Sequence, residues 1–316
     1  MSATTHAFAP RPGERAAQAA RFARLRRGVQ LRYVLLALPA VAFLAVFYGY
    51  PVAAMLLRAF NDPAWGTENF RPLTTLTRDI NVFGFSVPGN AYLRVFGITL
   101  QIAIVTTLAT LLLAYPVAYV LAAIRPSRAN LLMILVLIPF WTSILVRSYA
   151  WMVLLGREGT INRVLMGLGI LDEPAKLLNT RLAVYVGMIH ILLPFMILPL
   201  YAVMRGIDRN LLRAAENLGG RPWDVFRRVF LPLSLPGIGA GCLLVFILAL
   251  GFYITPALLG GQRDVMISVL IAQQVTLIKW GFASALALVL LLVALVIYVV
   301  FSRILGVERL YGGTRA

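Results

Sequence analysis

Six uninterrupted apolar runs, at roughly 33–57, 93–124, 129–155, 182–204, 231–259 and 283–304, constrain this chain more than any other feature of its sequence. Each is long enough to cross about 30 Å of hydrocarbon. An unpaired strand inside lipid would leave its backbone polar groups without partners, so each run must be a helix. The first run is too long for a signal-peptide core and lacks a small-residue cleavage site, so it reads as an uncleaved span. The stretch 265–278 is apolar but short, and reads as a re-entrant or interfacial segment. The expectation is an all-α membrane protein with six transmembrane helices spread over residues 33–305.

Charge sets the orientation. The chain is 60% hydrophobic and 13% charged, with a net charge of +17. Soluble domains run at about 25% charged residues, which excludes most cytosolic enzymes and disordered proteins. Segments 1–32, 125–128, 205–228 and 303–316 together hold 18 of the 29 Lys and Arg. The positive-inside bias therefore places both termini and the 205–228 loop in the cytoplasm. Most of the excess charge is a topology signal and a contact for lipid headgroups, not a nucleic-acid footprint. Residues 1–32 read as a cytoplasmic arm and 306–316 as a cytoplasmic tail. The outer loop 58–92 carries Pro63, Pro72, Gly84, Pro88 and Gly89, punctuation that opposes a long helix. Cys242 is the single cysteine, so no intrachain disulfide and no thiolate metal cluster is expected.

The loop after the fourth run reads RGIDRNLLRAAENLGGRPWDVFRRVFLPLSLP from Arg205 to Pro236. Asp208 suits an N-cap for a short helix through Leu218, Gly219-Gly220 a left-handed stop, and Pro222 the opening of a second turn. Leu211, Leu212, Ala215 and Leu218 share one face at helical spacing. Periodicity alone makes this a surface helix resting on its own bundle.

The residues in that loop say more. Arg213-Ala214-Ala215-Glu216-Asn217-Leu218-Gly219, then Phe226, then Leu231-Pro232, resembles the EAA motif of ABC-importer permeases. The stretches 139–151 (PFWTSILVRSYAW), 159–162 (GTIN), 193–201 (LPFMILPLY) and 253–261 (YITPALLGG) look like signatures of the spermidine/putrescine permease family, in the same order. The resemblance implies a type I ABC importer permease fold in which the 205–230 loop carries a cytoplasmic coupling helix. That helix would dock in a groove of an ATPase subunit through Arg213, Ala214, Ala215, Glu216, Leu218, Gly219 and Phe226. It further implies a second permease subunit, usually a different chain, two ATPase subunits that bind ATP and Mg, and a periplasmic solute-binding protein. No cofactor is expected in this chain. One departure stands out: Arg213 occupies the place of the family's first Glu, which favours an acidic or polar partner in the groove, with Glu216 able to supply the missing negative charge.

The spans bear on substrate. No Asp or Glu falls inside any of the six runs, which counts against a proton- or sodium-coupled secondary transporter. Trp141, Tyr149, Trp151, Phe252 and Tyr253 offer aromatic faces that hold an ammonium by cation–π contact, while belt or core packing is their commoner use. Arg147 reads either as a snorkelling residue or as a gate group paired with an acid such as Asp264. It would welcome a carboxylate, so an opine, an aminophosphonate or another carboxylated small amine stands beside a polyamine as the solute. His190 is expected to hydrogen-bond a neighbouring helix. Nothing resembles a nucleotide-binding lysine loop, a metal-ligand cluster or a nucleophile–base pair. A membrane-embedded enzyme would need clustered His, Asp or Glu at one interface, so no catalytic and no metal residue is assigned.

Overall fold

Long helices account for most of the structure because the runs between breakers are apolar on all sides and close their backbone bonds internally. The structure, a computed structural model, describes residues 33, 35–76, 78–82 and 85–305. The expected arm 1–32 and tail 306–316 lie outside the described residues. The chain divides into one unit up to Leu57 and a second from Arg58 onward, and every candidate functional residue lies in the second. Five helices are long and apolar enough to cross a membrane: Leu35–Asn61, Ala91–Ala123, Arg181–Gly206, Pro222–Leu250 and Trp280–Arg303. They are the first, second, fourth, fifth and sixth spans expected from hydropathy.

Two expected runs are broken. The third, 129–155, is a bent pair, Pro126–Trp141 followed by Ile144–Gly167, with 91° between its arms. The helix tightens to a 3-10 turn over Ile138–Trp141 with Pro139 inside it, Thr142 is extended, and the Ser143 hydroxyl then caps a new helix by accepting from the Leu145 amide at 3.2 Å. Hydropathy continues smoothly through this break because the residues that make it are a proline and two small hydroxyl side chains. The fifth run, 231–259, stops at Leu250; Gly251 ends the helix and a separate short helix occupies Ile254–Leu259. The stretch 265–278 is short as expected, with a ten-residue helix over Ile267–Thr276.

The fourth span is the centre of the bundle, packed against the second and the fifth. Met188, Ile191, Leu192, Met196, Ile197 and Leu200 on it are fully enclosed. Lipid tails are as apolar as leucine, so close packing and interhelical hydrogen bonds, rather than escape from water, hold such helices together. A Cβ at Gly241 would come 2.6 Å from the Met196 sulfur, and one at Gly237 would come 3.2 Å from the Pro199 carbonyl oxygen. These glycines let the fourth and fifth spans touch. Buried hydroxyls add Tyr115–Ser234 at 3.0 Å and Ser148–Thr255 at 2.9 Å.

The segment between the first two spans is not a long helix. It holds a 3-10 turn, a helical turn over Arg71–Thr74 and an antiparallel hairpin, Arg78–Val82 with Phe85–Gly89, a small sheet in an otherwise helical fold. Asn90 ties this layer to the second span. Its carbonyl oxygen accepts from the Tyr92 and Leu93 amides, and its amide donates to the Pro72, Leu73 and Thr75 carbonyls.

Candidate functional site

The loop between the fourth and fifth spans is built from local signals. The Asp208 carboxylate accepts from the Asn210 amide at 2.9 Å and starts the helix Arg209–Asn217. Gly219 takes φ +86°, a left-handed conformation that costs a side chain about 1–2 kcal/mol. The Gly220 amide then donates to the Ala215 carbonyl at 3.0 Å. A Cβ on Gly220 would sit 2.8 Å from that same carbonyl oxygen, so only glycine lets the chain close here. Pro222 opens the next helix as expected, and a π-helical turn over Phe226–Phe230 leads into the fifth span.

The shared face of leucines divides in space. Leu212 and Ala215 turn toward the bundle, whereas Leu211 and Leu218 lie outside, Leu218 at 89% exposure. Arg213, Ala214, Glu216 and Gly219 are exposed as well. Neither Arg213 nor Glu216 joins an ion pair among the described residues. The helix therefore presents small, apolar and charged groups together on a free edge. Behind it, half-buried Phe226 stacks on Trp223 and meets Tyr115 and Tyr119 edge-on, and Tyr119 meets buried Phe230. The loop is thus keyed into the second span by aromatic rings.

Two arginines strengthen that connection. Arg205 donates to the Ala122 and Ile124 carbonyls at 3.2 Å each. Arg209 donates to the Ala122 and Ala123 carbonyls at 3.0 and 2.8 Å. The last carbonyls of a helix lack intrahelical partners and carry its negative dipole end, so a guanidinium is a suitable cap. One arginine ends the fourth span and the other begins the loop helix. Together they fasten both to the end of the second span.

The second group of candidates surrounds the broken third span. Arg147 lies in the first turn of Ile144–Leu155 and lines a cavity of about 230 Å³ with Phe140, Phe195 and Phe252. Its Nε is buried without an acceptor among the described residues. The Arg147–Asp264 pair, one of the two readings of Arg147, does not form. Asp264 instead accepts from Arg181 Nε at 2.7 Å, and Arg181 also donates to Gln101 at 2.8 Å. Arg181 starts the fourth span, which places its fork between the second span and the loop carrying Asp264. Trp151 donates its indole N–H to His190 Nδ1 at 3.1 Å, the neighbour-helix bond expected of His190. Trp141 stands 91% exposed, and Tyr149 and Tyr253 are also exposed, so these three do not converge with Arg147 and Phe252 on the cavity.

Residues 114–306 match the family described as binding-protein-dependent transport system inner membrane components. The chain is 39% identical to the spermidine/putrescine transport system permease protein PotB of Haemophilus influenzae over 72% of its own length and 83% of that protein. It is 38% identical to PotB of Escherichia coli over 67% of its length and 78% of the relative. The chain belongs to the binding-protein-dependent permease family. The fold agrees: a chain in a crystal structure of a bacterial alginate ABC transporter, in complex with its alginate pentasaccharide-bound periplasmic protein, superposes with TM-score 0.69 at 20% identity, covering 89% of this chain and 96% of that one. This permease is accordingly a multi-pass inner-membrane subunit of an ABC transporter.

Three parts of the permease's site escaped the sequence. Arg181 was invisible because its partners Asp264 and Gln101 are about 80 residues away in either direction. Arg205 and Arg209 read as topology charges, although their i, i+4 spacing around the loop entry was a usable signal. Trp223, beside Pro222, carried the cue of an exposed aromatic at a helix start, and it stands 67% exposed.

Proposed function

We propose that this permease forms, with a second and different permease subunit, the membrane pathway of an ATP-driven importer for a polyamine, spermidine or putrescine. The observation that carries this reading is the 39% identity, sustained over most of both chains, to a permease named for those solutes. A periplasmic binding protein delivers the solute, and two ATPase subunits hold ATP and Mg. Both termini and the 205–230 loop face the cytoplasm, by the distribution of Lys and Arg. The helix Arg209–Asn217 enters a groove of one ATPase subunit, with exposed Ala214, Leu218 and Gly219 at the contact, half-buried Ala215 at its edge, and Arg213 and Glu216 setting its charge pairing. Closure of the ATPase dimer moves this helix. The aromatic keys at Phe226 and the caps from Arg205 and Arg209 carry the movement into the second, fourth and fifth spans, which alternate between two accessible states. The aromatic faces of Trp141, Tyr149, Trp151 and Tyr253 offer cation–π contacts to an ammonium on its way through.

A carboxylated small amine is the second reading, favoured by Arg147 beside the cavity. ATPase activity of the co-expressed complex in lipid nanodiscs, with its binding protein and a ligand panel, separates the two. Stimulation by putrescine or spermidine and not by amino-acid conjugates is expected. Stimulation only by carboxylated ligands would replace the polyamine with the second reading.

A further inference from the structure

The Arg147 guanidinium is a cation set among rings, with Phe140, Phe195 and Phe252 around its cavity and its Nε buried without an acceptor among the described residues. Arg147 as a whole is only half-buried, so the rest of its guanidinium stays open to a counter-charge from outside this chain. Asp264, the acid the sequence suggests for that role, is held by Arg181 at 2.7 Å. The remaining ion pairs among the described residues, Arg71–Glu68 and Arg228–Asp224, leave Arg147 aside. Nor can a polyamine be the partner, since like charges repel.

We propose that Arg147 receives a carboxylate from the second permease subunit, so that an intersubunit ion pair closes this cavity where the two permeases meet. The geometry suits this occupant. Residues beside Arg147 on the same helix turn outward from this chain, with Val146 and Tyr149 both exposed, and Trp141 just before the break is exposed too. A surface that leaves aromatic and aliphatic side chains uncovered around a single cation fits an apolar helix face bearing one acid. The pair would also neutralise Arg147, removing the repulsion a polyamine would otherwise meet. The inference thus deepens the polyamine reading and rests on it for that last point.

The test uses the complete complex with its binding protein in nanodiscs, read by stimulated ATPase activity and by co-purification of the subunits. Arg147→Glu is expected to lower stimulated activity by about tenfold or more, because it sets a carboxylate against the partner's carboxylate and like charges facing each other across an interface repel. Each Asp and Glu in the membrane-spanning helices of the second permease is then changed to Arg, one at a time, in that background. Recovery of most of the lost activity by one such reversal, itself damaging when alone, is the expected result. Failure of every reversal while the subunits still co-purify would overturn the proposal, as would wild-type activity of Arg147→Ala. Where Arg147→Glu does not accumulate, Arg147→Gln combined with Asp→Asn or Glu→Gln changes gives a double-mutant cycle. Non-additive losses at one acid are expected, and strict additivity at all of them would overturn the idea. The scan is read with whichever ligand stimulates the wild-type complex, so its failure is distinct from failure of the polyamine reading. A loss in Arg147→Ala confined to carboxylated ligands would also overturn it, assigning the cation to the solute.

Discussion

Asn90 concentrates more structure in one side chain than any other residue at the hairpin end. It caps the second span and donates to three carbonyls of the preceding segment. Asn90→Ala removes a cap, worth about 1 kcal/mol, and leaves buried carbonyls without donors at about 1–3 kcal/mol more. A lower melting temperature of the purified permease, with assembly still detectable at low temperature, is the expected outcome; an unchanged melting curve would contradict this role. Gly219 is the matching residue at the other end. Its φ of +86° makes Gly219→Val costly through strain rather than through a clash, because nothing lies within 4 Å of where its Cβ would be. We expect normal levels of assembled complex and a loss of binding-protein-stimulated ATPase activity, measured against the basal rate. Gly219 was legible in the sequence because a helix stop is a local event. The Arg181–Asp264 pair was not, since nothing local distinguishes Arg181 from Arg147 as the partner of an acid so far along the chain.

Among the elements, the loop helix and the second span act as one piece. Four arginine–carbonyl hydrogen bonds fasten the loop entry to the end of that span, each worth about 1.5–3 kcal/mol where a charged donor is involved, less where water competes. The double change Arg205→Ala and Arg209→Ala should therefore leave ATP hydrolysis running while abolishing its dependence on the liganded binding protein. Hydrogen exchange of amides 209–217 should rise in the same variant, whereas unchanged exchange would mean that the aromatic keys alone hold the helix. All six runs were readable from hydropathy because lipid demands long apolar segments, the third being a bent pair. The break at Thr142-Ser143 was hidden for the same reason: threonine and serine lower hydropathy too little to interrupt a run, yet one extended residue and one cap turn the helix by 91°. The cytoplasmic loop was the reverse case, since Asp208, Gly219 and Pro222 are themselves the residues that mark a helix boundary.

For the molecule as a whole, topology and energy source are the two decisive properties. Cys242 is the one cysteine, so a Cys242→Ser background accepts single labelling sites. Exposed Thr75, beside the hairpin, and exposed Asn217, at the end of the loop helix, are suitable positions for substitution to Cys. A membrane-impermeant maleimide added to spheroplasts should label Thr75→Cys and leave Asn217→Cys untouched until the membrane is opened; the opposite pattern would invert the proposed orientation. Above all, this chain is expected to move its solute only as part of an ATP-driven assembly. Uptake of labelled spermidine into proteoliposomes decides the matter, comparing the complete complex with this permease alone, and ATP with its absence. Uptake should require the second permease, the ATPase subunits, the binding protein and ATP together. Uptake by this chain alone without ATP would contradict that dependence and return the protein to the class of secondary transporters.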